Sequence, residues 1–247
     1  MTNMITFYDF PSKKDGIEAW NPNTWKTRLS LRYKGLPFKT VWVEYPNVES
    51  TLKAAGIPPT SQWSDGRPMY TLPAIVDPST GAALADSFII AEYLDKTYPG
   101  DKHLLIPSGT KALQTAYTEA VHASLSGPLF QFLMGRTCET LLNPSSDEYF
   151  RRTKKKYMEM DIDTLAPQGE RVKEEWKNVE AGFGKIAAWL KADEFAMGNT
   201  VSFADFVVAG FLEWCKNAWG EDSQQWKDVA SWHDGRWGKL VKNLEAY

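Results

Sequence analysis

The chain has 247 residues, 43% of them apolar and 24% charged, with a net charge of −3. That is the make-up of a soluble globular protein of one large or two small domains, and it excludes a disordered chain, a collagen-like repeat and a membrane channel. Residues 1–110 carry 11 basic and 11 acidic side chains and residues 111–247 carry 17 and 20, so neither part has the basic excess that a nucleic-acid partner requires.

In chain order, Met4–Asp9 reads as a β-branched and aromatic strand stopped by Phe10-Pro11-Ser12. Trp25 to Lys34 reads as a helix, with Trp25, Leu29 and Tyr33 on one face and Gly35 closing it. Phe38–Tyr45 is apolar on much of both faces, as an internal strand is, and Val48–Ala55 is a short helix. Pro58 to Tyr70 is an irregular excursion. Thr71-Leu72-Pro73 leads into the strand Ala74–Asp77, Pro78-Ser79-Thr80-Gly81 turns the chain, and Ala82–Ala85 returns. Asp86-Ser87 opens a helix ending at Tyr98-Pro99-Gly100. The order β-α-β-α-β-β-α is that of a thioredoxin-like domain, taken as residues 1–102.

After an exposed linker, His103–Gly109, the pattern is helical to the end. The expected helices are Lys111–Ser126, Tyr149–Leu165, Gly169–Leu190, Ser202–Trp219 and Gln224–Lys242. Residues 111–247 therefore read as an all-α helical-bundle domain. Ser202 is the N-cap of one helix and Asp205 its N3 partner, with Val201 and Phe206 set as a hydrophobic staple.

Cys138 and Cys215 are too few and too far apart for a disulfide scaffold or a redox pair. His103, His122 and His233 show no metal-ligand spacing, so no metal is expected. MTNMITFYDF has no signal-peptide pattern, and the late apolar run Phe206–Leu212 is bounded by Asp205 and Glu213. A cytoplasmic protein with no membrane partner is expected. The 11 Trp, 12 Phe and 10 Tyr suit a large core, and equally a groove for flat aromatic ligands.

Three features together resemble the cytosolic glutathione transferase family: Leu72-Pro73 before a strand, Asp86-Ser87 opening a helix, and the Val201-Ser202-x-x-Asp205 cap. The stretches Asn21–Arg28, Lys34–Pro37 and Val41–Tyr45 are similar to the FuA class of wood-decay fungi, which is related to bacterial β-etherases. The resemblance covers essentially the whole chain. It implies a homodimer, a glutathione site in the first domain and an aromatic-ligand site shared with the second. It also implies a cis peptide before Pro73 that presents the Leu72 backbone to the cysteinyl unit of glutathione.

The residues support such a site on their own chemistry. The Ser87 N–H lies at a helix start, where orphan amides and the helix dipole favour the γ-glutamyl carboxylate, and Asp86 can accept from the γ-glutamyl ammonium. For the glycyl carboxylate, Lys39, Lys53 and Arg67 are all candidates, with Lys53 on the second helix carried into the site.

Beside the sulfur, Asn21 stands where a serine or cysteine is the common pattern, followed by Asn23 and Thr24. These three are the candidate catalytic residues, as donors to a thiolate, and their chemistry equally suits a plain helix cap. None can form a mixed disulfide. Phe10 and Pro11 are expected on one side of the aromatic-ligand site and Phe130 and Met134 on the other, although a Phe/Leu/Met stripe also suits a core. Arg151–Lys156, five cations in six residues, reads as a solvated helix face. The resemblance thus implies a glutathione transferase that conjugates or cleaves aromatic or electrophilic substrates at aryl, benzylic, ether or peroxide centres, with a non-catalytic ligandin for polyphenolic or aromatic compounds as the alternative.

Overall fold

The computed structural model describes residues 4–100 and 103–247; the expected first domain's limits at 1 and 102 lie outside them. Strand β1 (Ile5–Asp9) occupies the middle of a four-stranded sheet ordered β2-β1-β5-β6. It pairs parallel with β2 (Phe38–Trp42), Ile5 opposite Phe38, and antiparallel with β5 (Ala74–Asp77), Tyr8 opposite Ala74. Helix α1 (Pro22–Tyr33) makes the β1–β2 crossover, and β6 (Ala82–Ala85) returns beside β5 to feed α3 (Ser87–Thr97). Helix α2 is Val48–Ala54. The expected α/β order is found, and the excursion from Pro58 contains a two-residue hairpin, β3 (Ser61–Gln62) with β4 (Pro68–Met69).

A buried ion pair fastens α1 to the sheet. Arg28 and Asp9 are both fully enclosed at 2.8 Å, and the guanidinium lies 5.2 Å from the Phe7 ring centroid and 5.4 Å from that of Trp42. Arg28 also reaches Glu18 at 2.9 Å in the long connection before α1. The charge is compensated and its flat face is packed on rings, the arrangement that makes a buried arginine tolerable.

The second half is helical: α4 (Lys111–Thr140), α5 (Pro144–Met158), α6 (Ile162–Leu165), α7 (Arg171–Leu190), α8 (Phe203–Trp219) and α9 (Gln224–Leu244). Three expectations change. Helix α4 does not stop at Ser126 but runs through Gly127-Pro128 to Thr140. Pro128 cannot donate to the Ser124 carbonyl, and Gly182 of α7 packs so closely there that a methyl group on it would lie 2.5 Å from that oxygen. Tertiary packing thus closes over the proline's defect. Helix α5 starts at Pro144, with its proline at N1 where no N–H is needed, and ends at Glu159 in the left-handed conformation. The helix expected from Tyr149 to Leu165 is therefore two. Helix α9 is broken at 232–235, where His233, Asp234 and Gly235 have positive φ.

The expected cap of α8 is present: the Asp205 carboxylate accepts from the Ser202 N–H at 2.9 Å, the Ser202 hydroxyl at 3.1 Å and the Ala196 N–H at 2.8 Å. Helix α8 packs along α1, and Gly210 sits against the carbonyl of Pro22. The helical half thereby sets the position of the α1 N-terminus.

Candidate functional site

A cavity of about 280 Å³ opens where the α1 N-terminus, residues 69–72 and α5 meet. Asn21, Asn23, Leu72 and Phe10 all line it, so four expected site residues come together.

Asn21 is the N-cap of α1. Its Oδ1 accepts from the Asn23 N–H at 2.9 Å and the Thr24 N–H at 3.3 Å. Pro22 has no N–H, and the Trp25 N–H is already bonded to the Asn21 carbonyl. The first turn therefore has no free amide to offer a ligand; it contributes only its dipole. The donor that remains at this end is Asn21 Nδ2, which donates to the Tyr45 hydroxyl at 3.4 Å. Thr24 is fully buried and its hydroxyl donates to the Asn21 carbonyl at 3.2 Å, so it braces the cap from behind and does not line the cavity. Asn23 is exposed at the rim.

Tyr45 was not anticipated. It stacks on Phe10 with ring centroids 4.0 Å apart and meets Phe150 edge-on at 5.2 Å. Burial pushes its hydroxyl well above the ordinary tyrosine range, so it stays protonated. It accepts from Asn21 and retains a proton to donate. The α5 start holds it in place: Ser146 accepts from the Tyr45 N–H at 2.9 Å, and Asn143 donates to Glu44 at 2.6 Å.

The Leu72–Pro73 peptide is cis. The Leu72 N–H and carbonyl have no hydrogen-bond partner among the described residues, leaving an edge on which an extended peptide can pair. The Asp86 N–H donates to the Pro73 carbonyl at 3.2 Å, which brings the start of α3 beside it. Asp86 caps α3 through Oδ1, taking the Phe88 and Ile89 amides at 2.9 and 3.1 Å. That leaves the Ser87 N–H and hydroxyl, at a helix N-terminus, and Asp86 Oδ2 without a hydrogen-bond partner among the described residues. Asp86 has φ 81° and ψ 125°, a region few side chains occupy and one that costs about 1–3 kcal/mol to hold. Lys26 of α1, buried and pushed down to about 8 by that burial, is drawn by the charges of Asp86 and Glu119.

Among the candidate cations, Lys53 pairs with Glu49 at 2.6 Å and stands 5.4 Å from the Tyr70 ring centroid, at the cavity edge. Arg67 is held by Asp65 at 3.0 Å and bonds Tyr157. Lys39 is exposed on β2. Pro11, Phe130 and Met134 are not brought to the cavity. The Pro11 carbonyl accepts from Trp20 Nε1 at 2.9 Å, Phe130 packs edge-on against Trp214, and Met134 is buried in the core. The second wall is supplied instead by Tyr149, Phe150, Lys154 and Met158 of α5. Both cysteines are buried, with their thiols pushed up by burial, and no metal cluster exists among the described residues.

A thioredoxin-like sheet carrying a cis-proline edge and a helical second half define the architecture of glutathione transferases. Residues 20–97 match the family model of the glutathione S-transferase N-terminal domain and residues 112–247 that of the C-terminal domain. The chain belongs to the glutathione S-transferase family. It is similar to a glutathione S-transferase of Ceriporiopsis subvermispora solved in complex with glutathione, at 43% identity and TM-score 0.93, covering 99% of this chain and 98% of that one. It is also similar to glutathione transferase GSTFuA3 from Phanerochaete chrysosporium, at 40% identity and TM-score 0.91, covering 99% and 97%. A curated relative, the glutathione S-transferase-like protein ustS of Aspergillus flavus, is 29% identical over 98% of this chain and 91% of its own length.

Proposed function

We propose that the protein is a glutathione transferase that activates the thiol at the start of α1 and directs it at aromatic electrophiles held in the cavity. In this reading residues 1–102 bind glutathione, residues 111–247 supply the second wall, and the working form is a cytoplasmic homodimer. Glutathione's cysteinyl unit pairs with the Leu72 backbone, and its γ-glutamyl carboxylate takes the Ser87 N–H and hydroxyl. Asp86 accepts from the ammonium, and Lys53 lies on the glycyl side.

The observation that carries the reading is the geometry of Asn21. With Oδ1 spent on the helix, the side chain offers Nδ2, beside a protonated Tyr45, at the floor of an aromatic cavity. A thiol of pKa about 8.5 is only a few per cent ionised at neutral pH, and each unit of lowering needs about 1.4 kcal/mol of preference for the thiolate. Two neutral donors and a helix dipole are suited to that preference. In the reaction the sulfur lone pair forms a C–S bond at an aryl or benzylic carbon as the leaving group departs with its electron pair, and no bond to the protein forms.

The alternative, a ligandin that binds aromatic compounds without turnover, is favoured by the ring-lined wall of Phe10, Tyr45 and Phe150. Conjugation of glutathione to 1-chloro-2,4-dinitrobenzene and to a benzyl halide separates the two. Turnover lost in Asn21→Ala supports the transferase. Tryptophan quenching by hydroxylated aromatics with no turnover on either substrate supports the carrier.

A further inference from the structure

The run Arg151–Lys156 is not uniformly a solvated face. Arg151 meets Asp147 at 2.7 Å and also bonds Asp163, Arg152 faces Glu148 at 3.8 Å, and Lys155 meets Asp161 at 2.8 Å. Lys156 is exposed above the Tyr157 ring. Lys154 instead turns inward and lines the cavity. Its ammonium lies 3.2 Å from Met158 Sδ and 5.2 Å from the Phe150 ring centroid, and it has no carboxylate partner among the described residues.

An ammonium in that position, half-buried, faces a thioether and a ring where a carboxylate would neutralise it. Burial holds its pKa below the ordinary lysine value, the sign of an uncompensated cost. The one carboxylate among the described residues of the cavity wall, Glu49, is already committed to Lys53. The cavity therefore combines a ring-lined wall with an unneutralised positive charge. An adjoining basin is lined by Arg67, Arg152 and Lys156 against Glu49 and Asp65, three cations to two carboxylates.

We propose that Lys154 is a specificity residue of this cavity, making it select aromatic ligands that carry an anionic oxygen group (sulfonate, carboxylate or phenolate) over neutral ligands of the same shape. The proposal rests on the reading of the cavity as the seat of the aromatic ligand. The anion takes up the ammonium's unused donors while the rings stack on Phe10, Tyr45 and Phe150.

Two fluorescent probes of nearly one skeleton test it: 8-anilinonaphthalene-1-sulfonate and its neutral counterpart N-phenyl-1-naphthylamine. Lys154→Met keeps the stem and removes the charge, and Lys154→Arg keeps the charge. Folding of each variant is checked by its melting temperature. The full chain should bind the sulfonate about tenfold more tightly than the neutral probe; Lys154→Met should erase that difference while changing the neutral probe less than about twofold, and Lys154→Arg should preserve it. Equal losses for both probes in Lys154→Met, or a selectivity that disappears in Arg152→Gln/Lys156→Gln and survives in Lys154→Met, would overturn the proposal. Retention on immobilised glutathione, measured on the same preparations, reads the parent proposal separately. Retention without sulfonate selectivity refutes the role of Lys154 alone; selectivity without retention refutes the glutathione site and leaves Lys154 standing.

Discussion

Gly210 offers a test of how the helical half positions the site. A methyl group added there would lie 3.2 Å from the Pro22 carbonyl carbon and well inside 3.0 Å of its oxygen. The obstacle is backbone, so α1 and α8 must separate by more than half an ångström. Alanine in a helix is worth up to about 1 kcal/mol over glycine, while overpacking of this kind costs about 1–3 kcal/mol. With no flexible side chain to yield, the loss lies at the upper end of that range. Gly210→Ala should therefore be destabilised by about 2 kcal/mol, lowering the melting temperature by roughly 4–8 °C. Because Pro22 follows Asn21, the cap moves too, and a penalty of about 1 kcal/mol on the ligand weakens glutathione binding about fivefold. Two controls separate stability from site geometry. Gly182→Ala clashes with the Ser124 carbonyl oxygen at 2.5 Å, away from the cavity, and should lose stability but keep its glutathione affinity. Gly135→Ala meets only the Ile162 carbonyl oxygen at 3.9 Å and should gain up to about 1 kcal/mol. Thermal unfolding and calorimetric titration with glutathione give both quantities. A Gly210→Ala protein as stable as the parent, or one that loses stability and binds glutathione unchanged, refutes the reasoning.

Other perturbations follow from the same contacts. Arg28→Met leaves the buried Asp9 carboxyl without its cation, and should cost about 3–5 kcal/mol in urea unfolding. Adding Asp9→Leu should recover much of that loss, and strictly additive losses would show that the pair is not coupled. On the proposed site, Ser87→Ala takes away a hydroxyl whose charge-assisted hydrogen bond to the γ-glutamyl carboxylate would be worth about 1.5–3 kcal/mol, and should weaken glutathione binding by about tenfold or more; unchanged affinity would move the γ-glutamyl carboxylate elsewhere. His122 is pushed down to about 4 by burial and by Lys26, below its ordinary value of about 6.5. The unfolded chain therefore takes up that proton first, so the contribution of neutral His122 is full above pH about 6.5 and is lost as pH falls towards 4. Asp205 and Glu213, raised to about 6 by burial, act in the opposite sense, losing stability as pH rises through that value. The difference between the parent and His122→Gln across this range isolates the histidine. It should shrink as pH falls, and a difference constant with pH would contradict the assignment.

Much of the first half was legible because its strands are short, apolar and punctuated. Tyr8 and Ala74 fall in neighbouring strands, Pro78–Gly81 turns, and Asp86-Ser87 starts a helix where one is found. The Ser202–Asp205 cap was equally plain, since both partners lie within one turn. Other features depended on tertiary contacts that local pattern does not carry. Pro128 reads as a helix end until Gly182 is seen against the carbonyl it abandons. Tyr45 lies 24 positions from Asn21, and only the parallel β1–β2 pairing brings them together. The apolar stripe of Phe130 and Met134 and the ring-bearing stretch Tyr149-Phe150 look alike in sequence. The first packs into the core, and the second faces the cavity because Asn143 and Ser146 fasten the start of α5 to Glu44 and Tyr45. Asp161 and Asp163, which pair with Lys155 and Arg151, follow the cationic run directly in the sequence, while the inward turn of Lys154 is not legible there, because only the position of Met158 and Phe150 decides it.

The ultraviolet titration of the thiol of bound glutathione, in the parent and in Asn21→Asp, tests the central claim most directly. Aspartate keeps the cap on Asn23 and Thr24, so the helix and its dipole survive, but it replaces the Nδ2 donor by an acceptor. The parent should show a thiol pKa lowered by about one unit or more from about 8.5, and Asn21→Asp should lose that shift while still binding glutathione. An unshifted thiol in the parent, or a shift that persists in Asn21→Asp, would contradict activation by Asn21.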